Sequence, residues 1–141
     1  MVHEIFSLEK ITKLKMRHPN AKLIAHPECE EPILRIADFI GSTTGLLKYT
    51  QKDESKEYIV ATETGILHQM QLSSPGKTFI PAPPNNSCAC NDCPHMKLNT
   101  LEKLYICMEY EMPEIVMKKE LLDASRKPIE RMLEISARYG L

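Results

Sequence analysis

The stretch AKLIAHPECEEPILRIADFIGSTTG, residues 21–45, decides the fold of this chain. Its apolar run Ala21–Ala25 has the length of a short buried strand, and Phe39–Ile40 has the character of a second one. A helical pattern lies between them over Glu30–Ala37, with Pro32 in the first turn, where a helix tolerates proline. Because strand, helix and strand follow one another with short connections, the two strands are predicted to run parallel.

The same alternation continues along the chain, and a further helix precedes it. Ser7 can cap an N-terminal helix whose inner face carries Leu8, Ile11 and Leu14. The elements predicted downstream are a helix over Thr44–Gln51, a strand over Tyr58–Ala61, a helix over Glu63–Leu72 and a strand over Thr78–Pro81. The chain is therefore predicted to have an α/β fold, a three-layer αβα domain with a small, mainly parallel sheet of about four strands.

The residues after Pro84 have a different pattern, and 99–141 is predicted to form a C-terminal helical segment. Asn99 can cap a helix, with Glu102 at the capping-box position. The predicted buried face of that helix consists of Leu101, Leu104, Tyr105 and Met108. The remaining predicted elements are a strand over Glu114–Met117 and a helix over Lys118–Arg138, interrupted at Pro128, with the later apolar face Ile129, Met132, Leu133 and Ala137.

The composition is that of one globular domain and favours no charged partner. The 141 residues are 43% hydrophobic and 26% charged, with a formal net charge of -1. Neither nucleic acid nor an anionic membrane surface is therefore expected as a partner. No apolar run reaches the roughly 18 residues of a membrane span, and the N-terminus lacks the apolar core of a signal peptide. A cytoplasmic protein is expected.

The chemistry is expected where the strands end, because parallel sheets bind ligands beyond the carboxyl ends of their strands. The segments at these positions are HPEC at 26–29, GSTTG at 41–45, TETG at 62–65 and the cysteine-rich loop. His26 and Glu28 could bind a substrate and move protons there, although Glu28 could instead complement a helix dipole. Ser42 and Thr43 suit a carboxylate or phosphate, and the alternative is plain N-capping by Thr43. Glu63 could serve the site or act as a cap.

The cysteine-rich loop, Cys88-Ala-Cys90-Asn-Asp-Cys93-Pro-His95, indicates a metal site or a redox centre. Its spacing does not choose the metal, because zinc sites normally have four ligands and iron–sulfur clusters three or four cysteines. One alternative is a small stand-alone zinc-binding module that uses Cys88, Cys90, Cys93 and His95. Another is a set of reduced loop thiols without a ligand.

Together these motifs resemble the quinolinate synthase family, and the resemblance covers essentially the whole chain. The matching strings are Val2–His3, HPEC at 26–29, AD at 37–38, GST at 41–43, TETG at 62–65, CPHMKLNTL at 93–101 and PIERML at 128–133. No single string is decisive. Taken together in this order, the strings are specific as a set. The most specific part is HPEC, then GST, and then Cys93, which begins CPHMKLNTL.

The resemblance implies a transferase of de novo NAD biosynthesis, which condenses iminoaspartate (iminosuccinate) with dihydroxyacetone phosphate to give quinolinate. Its iminoaspartate comes from L-aspartate oxidase, the upstream pathway enzyme. Family members have three similar α/β domains around a central [4Fe-4S] cluster, with one cysteine from each domain, and the cluster is a Lewis acid. Residues 1–141 correspond to the third domain, so the first two are expected to lie outside this chain or on a separate chain. Alone, the chain is expected to be inactive.

The resemblance also implies roles for individual residues. Cys93 matches the third cluster ligand, and Cys90 a possible redox partner, whereas Cys88 departs from the family spacing and has no role. His26 and Glu28 are the implied catalytic residues. The implied substrate-binding residues are His3, His26, Pro27, Glu28, Ser42 and Thr43. Cys29 is expected to be a buried filler. A non-catalytic remnant that binds other proteins is a further alternative.

Overall fold

The computed structural model describes residues 2–85 and 91–140, so the predictions for Cys88 and Cys90 lie outside the described residues. The chain divides into two compact units, one that ends at Leu98 and a second that begins at Asn99. The first unit contains the whole sheet, and the second contains two helices.

The first unit confirms the predicted α/β architecture. Its four strands are β1 (Lys22–Ala25), β2 (Phe39–Ile40), β3 (Glu57–Ala61) and β4 (Thr78–Pro81). They form one sheet in the order β2-β1-β3-β4, and every pairing is parallel. The intervening helices are α1 (Leu8–Arg17), α2 (Glu31–Leu34), α3 (Thr43–Lys52) and α4 (Ile66–Ser73). All four carboxyl ends therefore lie at one edge of the sheet, which is called the carboxyl edge below.

The core has two apolar clusters, because neighbouring residues of a strand face opposite sides of the sheet. Leu23 and Ile59 belong to one cluster, together with Ile11 of α1 and Ile33 of α2. The second cluster contains Ile24, Tyr58, Val60, Leu46 of α3 and Met70 of α4. Helices thus cover both faces of the sheet, as a three-layer αβα domain requires.

The boundaries of α2, α3 and α4 differ from the prediction. Helix α2 spans only Glu31–Leu34, and α4 begins at Ile66 rather than at Glu63. The N-cap of α3 is Ser42, whose Oγ accepts the Gly45 N–H at 3.2 Å, so the alternative in which Thr43 caps the helix is wrong. In α1 the predicted cap is confirmed, since Ser7 Oγ accepts the Lys10 N–H.

A polar network fastens the opposite end of the sheet. The Asp53 carboxylate accepts hydrogen bonds from Lys22 Nζ at 2.5 Å, Tyr58 Oη at 2.7 Å and the Ser55 N–H at 3.1 Å. The hydrogen bond from Lys22 holds the pKa of Asp53 well below its usual range. Burial raises the pKa of Tyr58 far above its usual range, and the neighbouring Asp53 carboxylate adds to the effect. Asp53 therefore joins β1, β3 and the end of α3.

The second unit departs most from the prediction. Its helices are α5 (Leu101–Tyr110) and α6 (Lys119–Tyr139), with a short 3-10 turn at Met96–Leu98 preceding them in the first unit. The N-cap of α5 is Thr100 rather than Asn99, because Thr100 Oγ1 accepts the Lys103 N–H. The predicted strand at 114–117 is absent from this described segment. The predicted buried face of α5 is wrong as well, since its four apolar side chains are exposed.

Helix α6 is continuous through Pro128, so the predicted interruption is wrong. Proline lacks an N–H and removes one helical hydrogen bond, and the remaining turns of a 21-residue helix outweigh this loss. Ile129, Met132 and Leu133 are each more than half exposed. Among the described residues, no helix is both long enough and apolar enough to cross a membrane.

Candidate functional site

Two polar residues of the HPEC motif follow β1 directly. The His26 N–H donates to the Ala61 carbonyl at 3.1 Å and so extends the pairing of β1 with β3 by one residue. The Cys29 N–H donates to the His26 carbonyl at 3.0 Å, which closes a tight turn around Pro27 and Glu28. Pro27 and Glu28 are exposed at the outside of this turn. The turn therefore presents the Glu28 carboxylate at the carboxyl edge.

His3, His26 and Glu28 form a compact group, the histidine–carboxylate cluster. His3 Nδ1 lies 2.9 Å from Glu28 Oε2, and His26 Nδ1 lies 3.9 Å from the same oxygen. The two imidazole rings stack at a centroid distance of 4.2 Å with an interplanar angle of 11°. The histidine side chains are 17% exposed and Glu28 is 68% exposed. The carboxylate is thus accessible to a ligand while both rings are largely covered.

Thr62 fixes the orientation of the His3 ring through a hydrogen bond. His3 Nε2 lies 3.2 Å from Thr62 Oγ1, and Thr62 is buried directly after β3. Since the Glu28 carboxylate can only accept a hydrogen bond, His3 Nδ1 must carry a proton. In neutral His3, Nε2 then accepts a hydrogen bond from the Thr62 hydroxyl, so one tautomer is selected.

His26 is held in the opposite tautomer. Its Nδ1 accepts the Glu28 N–H at 3.3 Å, which places the ring proton of the neutral form on Nε2. Burial lowers the pKa of His26, and the nearby His3 lowers it further, whereas Glu28 raises it. His26 is therefore a neutral N–H donor near pH 7, beside a carboxylate that is ready to accept a proton.

The geometry of the cluster suits proton transfer better than a metal ion. One ligand atom from each of His3, His26 and Glu28 lies within 4.8 Å of the others. A metal ion lies close to the plane of each imidazole that binds it. Two rings stacked in nearly parallel planes cannot both meet this condition at one ion unless one of them turns.

The GST motif forms the start of α3, next to β2. Ser42 is occupied by its cap hydrogen bond to Gly45, whereas the Thr43 side chain is exposed at the first helical residue. The first N–H groups of a helix have no partner within it and carry a partial positive charge. A Cβ on Gly41 would lie 2.9 Å from the Phe39 ring, so this position favours glycine. Because the first N–H groups of α3 and the exposed Thr43 hydroxyl are available as donors, this end of the helix can accept a carboxylate or phosphate.

Cys93 is held at the end of β3. Its N–H donates to Glu63 Oε1 at 3.4 Å, and the Gly65 N–H donates to Glu63 Oε2 at 2.7 Å. Cys93 is a half-buried free thiol. His95 is exposed at the start of the following 3-10 turn. The structure thus brings Cys93 to the same edge as His26 and Glu28.

The buried Cys29 is a poor ligand for a metal centre. Cys29 is buried, its Sγ donates to the Ala61 carbonyl at 3.3 Å, and burial raises its pKa to about 11. This confirms the prediction that Cys29 is a buried filler. Cys107 is exposed on α5, in the second unit. Among the described cysteines of the first unit, Cys29 and Cys93 both follow strands at the carboxyl edge, and Cys93 is the one that is not buried.

The contact between Thr62 and His3 was not predicted from the sequence. The strand register places Thr62 beside His26, because Ala25 pairs with Ala61, but it does not bring in His3, which precedes the first helix. The bonds from the Cys93 N–H to Glu63 and from Asn91 to the Val2 carbonyl were missed as well, since they join distant parts of the chain.

The sequence profile described as quinolinate synthetase A protein matches residues 1–134. The chain belongs to the quinolinate synthase family. The quinolinate synthase of Microcystis aeruginosa is 60% identical over 136 residues, covering 96% of this chain and 43% of the relative. Those of Trichodesmium erythraeum and Chloroherpeton thalassium are 59% and 58% identical, each covering 96% of this chain and 42% of the relative. The chain thus spans less than half the length of these quinolinate synthases.

Proposed function

We propose that this chain forms one side of a quinolinate synthase active site, which condenses iminoaspartate with dihydroxyacetone phosphate to quinolinate in de novo NAD biosynthesis. The observation that carries the proposal is the histidine–carboxylate cluster, in which His3 orients the Glu28 carboxylate at 2.9 Å beside His26. Iminoaspartate is the product expected of an L-aspartate oxidase, which would supply this substrate. Because a thiolate-held iron centre suits a reducing compartment, the cytoplasm is the expected location.

The cluster has the groups that such a condensation needs. Enolisation of a ketone and loss of water both require a proton to leave one atom and reach another. The exposed Glu28 carboxylate can accept the first proton, and His3 holds that carboxylate in place. Neutral His26 carries a proton on Nε2 and can donate a hydrogen bond to a substrate oxygen. Glu28 and His26 are therefore the proposed catalytic residues.

The substrates are anions, and the start of α3 is the proposed place for one anionic group. Thr43 offers an exposed hydroxyl next to the N–H groups of the first helical turn. These donors suit a phosphate or a carboxylate without a basic side chain. Ser42 holds that turn in shape through its bond to Gly45.

Cys93 fits the role of one ligand of a [4Fe-4S] cluster. It is a half-buried thiol at the carboxyl edge, and Cys29 cannot substitute for it because burial keeps Cys29 protonated. When bound, the cluster would supply Lewis-acid chemistry at an iron with an open position. Since such clusters usually have three or four cysteine ligands, the other ligands are proposed to come from the rest of the protein.

The proposal is tested by supplying the part of the enzyme that this chain does not match. The chain alone, incubated anaerobically with iron and sulfide, is expected to retain no cluster absorbance and to form no quinolinate. Co-expressed with the unmatched remainder of the Microcystis aeruginosa quinolinate synthase, it is expected to gain both. Cluster content is measured by visible absorbance and iron analysis, and quinolinate by chromatography.

The controls separate the roles of the two thiols. Cys93→Ser should abolish cluster retention in the co-expressed protein, whereas Cys107→Ser should leave it unchanged. If the chain alone forms a stable cluster and quinolinate, a site made by several copies of Cys93 replaces the present proposal. If zinc binds tightly to the chain alone and Cys93→Ser removes it, the zinc-module alternative is correct.

A further inference from the structure

Segment 91–93, which ends at the first residue of the CPHMKLNTL string, is bound to two other parts of the first unit. The Thr64 N–H donates to the Asn91 carbonyl at 3.4 Å, and the Thr64 hydroxyl donates to the Asp92 carboxylate. The Cys93 N–H donates to Glu63 Oε1 at 3.4 Å. The turn after β3 therefore holds three consecutive residues of the cysteine segment.

Glu63 is the centre of this attachment. Each of its carboxylate oxygens accepts one backbone N–H, that of Cys93 and that of Gly65. Gly65 is the N-cap of α4, so the bond to Gly65 ties the carboxylate to the start of that helix. A carboxylate can accept both bonds at once through two equivalent oxygens, whereas a glutamine amide has only one accepting oxygen.

Asn91 provides the second attachment. It is 1% exposed, and its Nδ2 donates to the Val2 carbonyl at 2.8 Å, one residue before His3. Its Oδ1 is buried and accepts no hydrogen bond from the residues that the structure describes. The orientation of the amide therefore depends on the bond to Val2, which fastens the N-terminal segment to the cysteine segment.

We propose that Glu63 and Asn91 are positioning residues that hold Cys93 and His3 together at the carboxyl edge. Glu63 fixes the backbone of Cys93, and Asn91 fixes the backbone that carries His3. The importance of Cys93 and His3 rests on the proposed function, but the attachment itself does not. Neither residue needs to touch a substrate or a metal for this role.

The attachment is tested on the chain as it is, without a cluster. The variants Glu63→Ala, Glu63→Gln and Asn91→Leu are compared with Glu54→Ala, an exposed carboxylate before β3 at the opposite end of the sheet. Amide hydrogen exchange is measured at Cys93 and Gly65. The rate of alkylation of Cys93 is measured by mass spectrometry, with the exposed Cys107 as internal reference. The tautomer of His3 is measured by ¹⁵N NMR of the imidazole.

Glu63→Ala should speed exchange at both amides, and alkylation of Cys93 relative to Cys107, by about three- to tenfold, as expected for the loss of one ordinary hydrogen bond at each amide. Glu63→Gln should give an intermediate value, because one accepting oxygen remains. Asn91→Leu should average the two tautomers of His3. Glu54→Ala should change none of these.

Two results would overturn the inference. In the first, the variants leave the alkylation ratio and the His3 tautomer unchanged. In the second, Glu63→Ala speeds exchange uniformly across the sheet, which would make Glu63 a general stabilising residue. Because no cluster and no turnover enter these measurements, their failure is distinct from a failure of the proposed function, which cluster retention tests.

Discussion

His3 Nδ1 donates to the Glu28 carboxylate at 2.9 Å, although the two residues are 25 positions apart in the chain. The contact places an oriented carboxylate at the carboxyl edge with more than half of its surface exposed. It depends on β1, since the turn that carries Glu28 follows that strand directly.

Replacing Glu28 should stop turnover without unfolding the chain. In the co-expressed enzyme, Glu28→Gln is expected to lower the rate of quinolinate formation by roughly 10²- to 10⁴-fold, the usual contribution of a general base. Its unfolding free energy should change by less than about 0.5 kcal/mol, because the side chain is exposed. Glu30→Gln is the control, since Glu30 is exposed and makes no side-chain cap bond. Normal activity of Glu28→Gln would exclude Glu28 as the base.

Substitution of Ser42 should affect stability, whereas substitution of Thr43 should affect substrate binding. Ser42→Ala loses the cap bond to Gly45 and is expected to lower the unfolding free energy by about 1 kcal/mol, whereas Ser42→Asp should retain it. Thr43→Val should leave stability unchanged and raise KM for an anionic substrate. Urea unfolding and steady-state kinetics measure the two effects. An unchanged KM in Thr43→Val would place the anion elsewhere.

The Asp53 network should make stability fall at acidic pH. Its hydrogen bond from Lys22 lowers the pKa of Asp53 in the folded state, so near pH 4 the unfolded chain binds more protons than the folded one. The contribution is present above the ordinary Asp pKa of about 3.9 and is lost as the pH falls below it. Asp53→Asn should flatten this dependence and cost about 1–2 kcal/mol at pH 7. The unfolding free energy is measured from about pH 3 to about pH 7, a range that includes the ordinary Asp pKa. If it falls with pH as steeply in Asp53→Asn as in the wild type, the assignment to Asp53 is wrong.

Cys29 should be protected from alkylation in the folded chain. Burial raises its pKa to about 11, so at pH 8 its thiolate is roughly a hundredfold scarcer than that of an ordinary thiol. Iodoacetamide should therefore modify Cys107 at least about a hundredfold faster than Cys29. Urea should abolish the difference. Equal rates in the native chain would show that the pocket of Cys29 opens freely.

The apolar face of α6 should cause self-association at high concentration. Ile129, Met132 and Leu133 lie three and four residues apart on one face and are 55–59% exposed. The double substitution Ile129→Lys and Leu133→Lys should reduce association in sedimentation velocity and also reduce binding of a dye that reports apolar surface. Lys127→Gln, an exposed change elsewhere on α6, should not. A wild-type chain that stays monomeric would contradict this expectation.

The sequence predicted the sheet well because short apolar runs bounded by turn residues define buried strands. The predicted bounds of Phe39–Ile40 and Thr78–Pro81 match the structure, and those of β1 and β3 differ by one residue. Helix ends were harder to predict. In α4 the Glu63 side chain bonds backbone outside the helix, so the helical pattern begins before the helix does.

The second unit shows a different limit of prediction. The spacing of Leu101, Leu104, Tyr105 and Met108 correctly indicates a helix, but a periodic pattern does not say what covers its apolar face. These side chains are exposed, and Pro128 lies inside a continuous helix that its single lost hydrogen bond does not break. Local spacing therefore predicted the helices and missed their surroundings.

The site was predictable as a location rather than as a set of contacts. The rule for parallel sheets correctly placed His26 and Glu28 at the carboxyl edge, whereas the contacts of His3 join the N-terminal segment to distant residues, and residue spacing does not define such contacts. The roles of His3, His26, Pro27, Glu28, Ser42, Thr43 and Cys93 remain predictions, and Cys90 lies outside the described residues.

The two outer strands of the sheet, β2 and β4, offer few hydrogen-bonding groups with which a strand of a second molecule could pair. Strand β2 pairs at only Phe39 and Ile40, and β4 ends at Pro81, which has no N–H to offer an additional strand. Pro83 and Pro84 follow after Ala82 and have no N–H either, and Pro84 already pairs with Phe6 in an isolated antiparallel bridge. A second molecule therefore finds no regular row of donors along either edge. Crowded solutions of this chain should contain discrete, reversible oligomers and no fibrils, even though its apolar strands are rich in the residues that form cross-β structure.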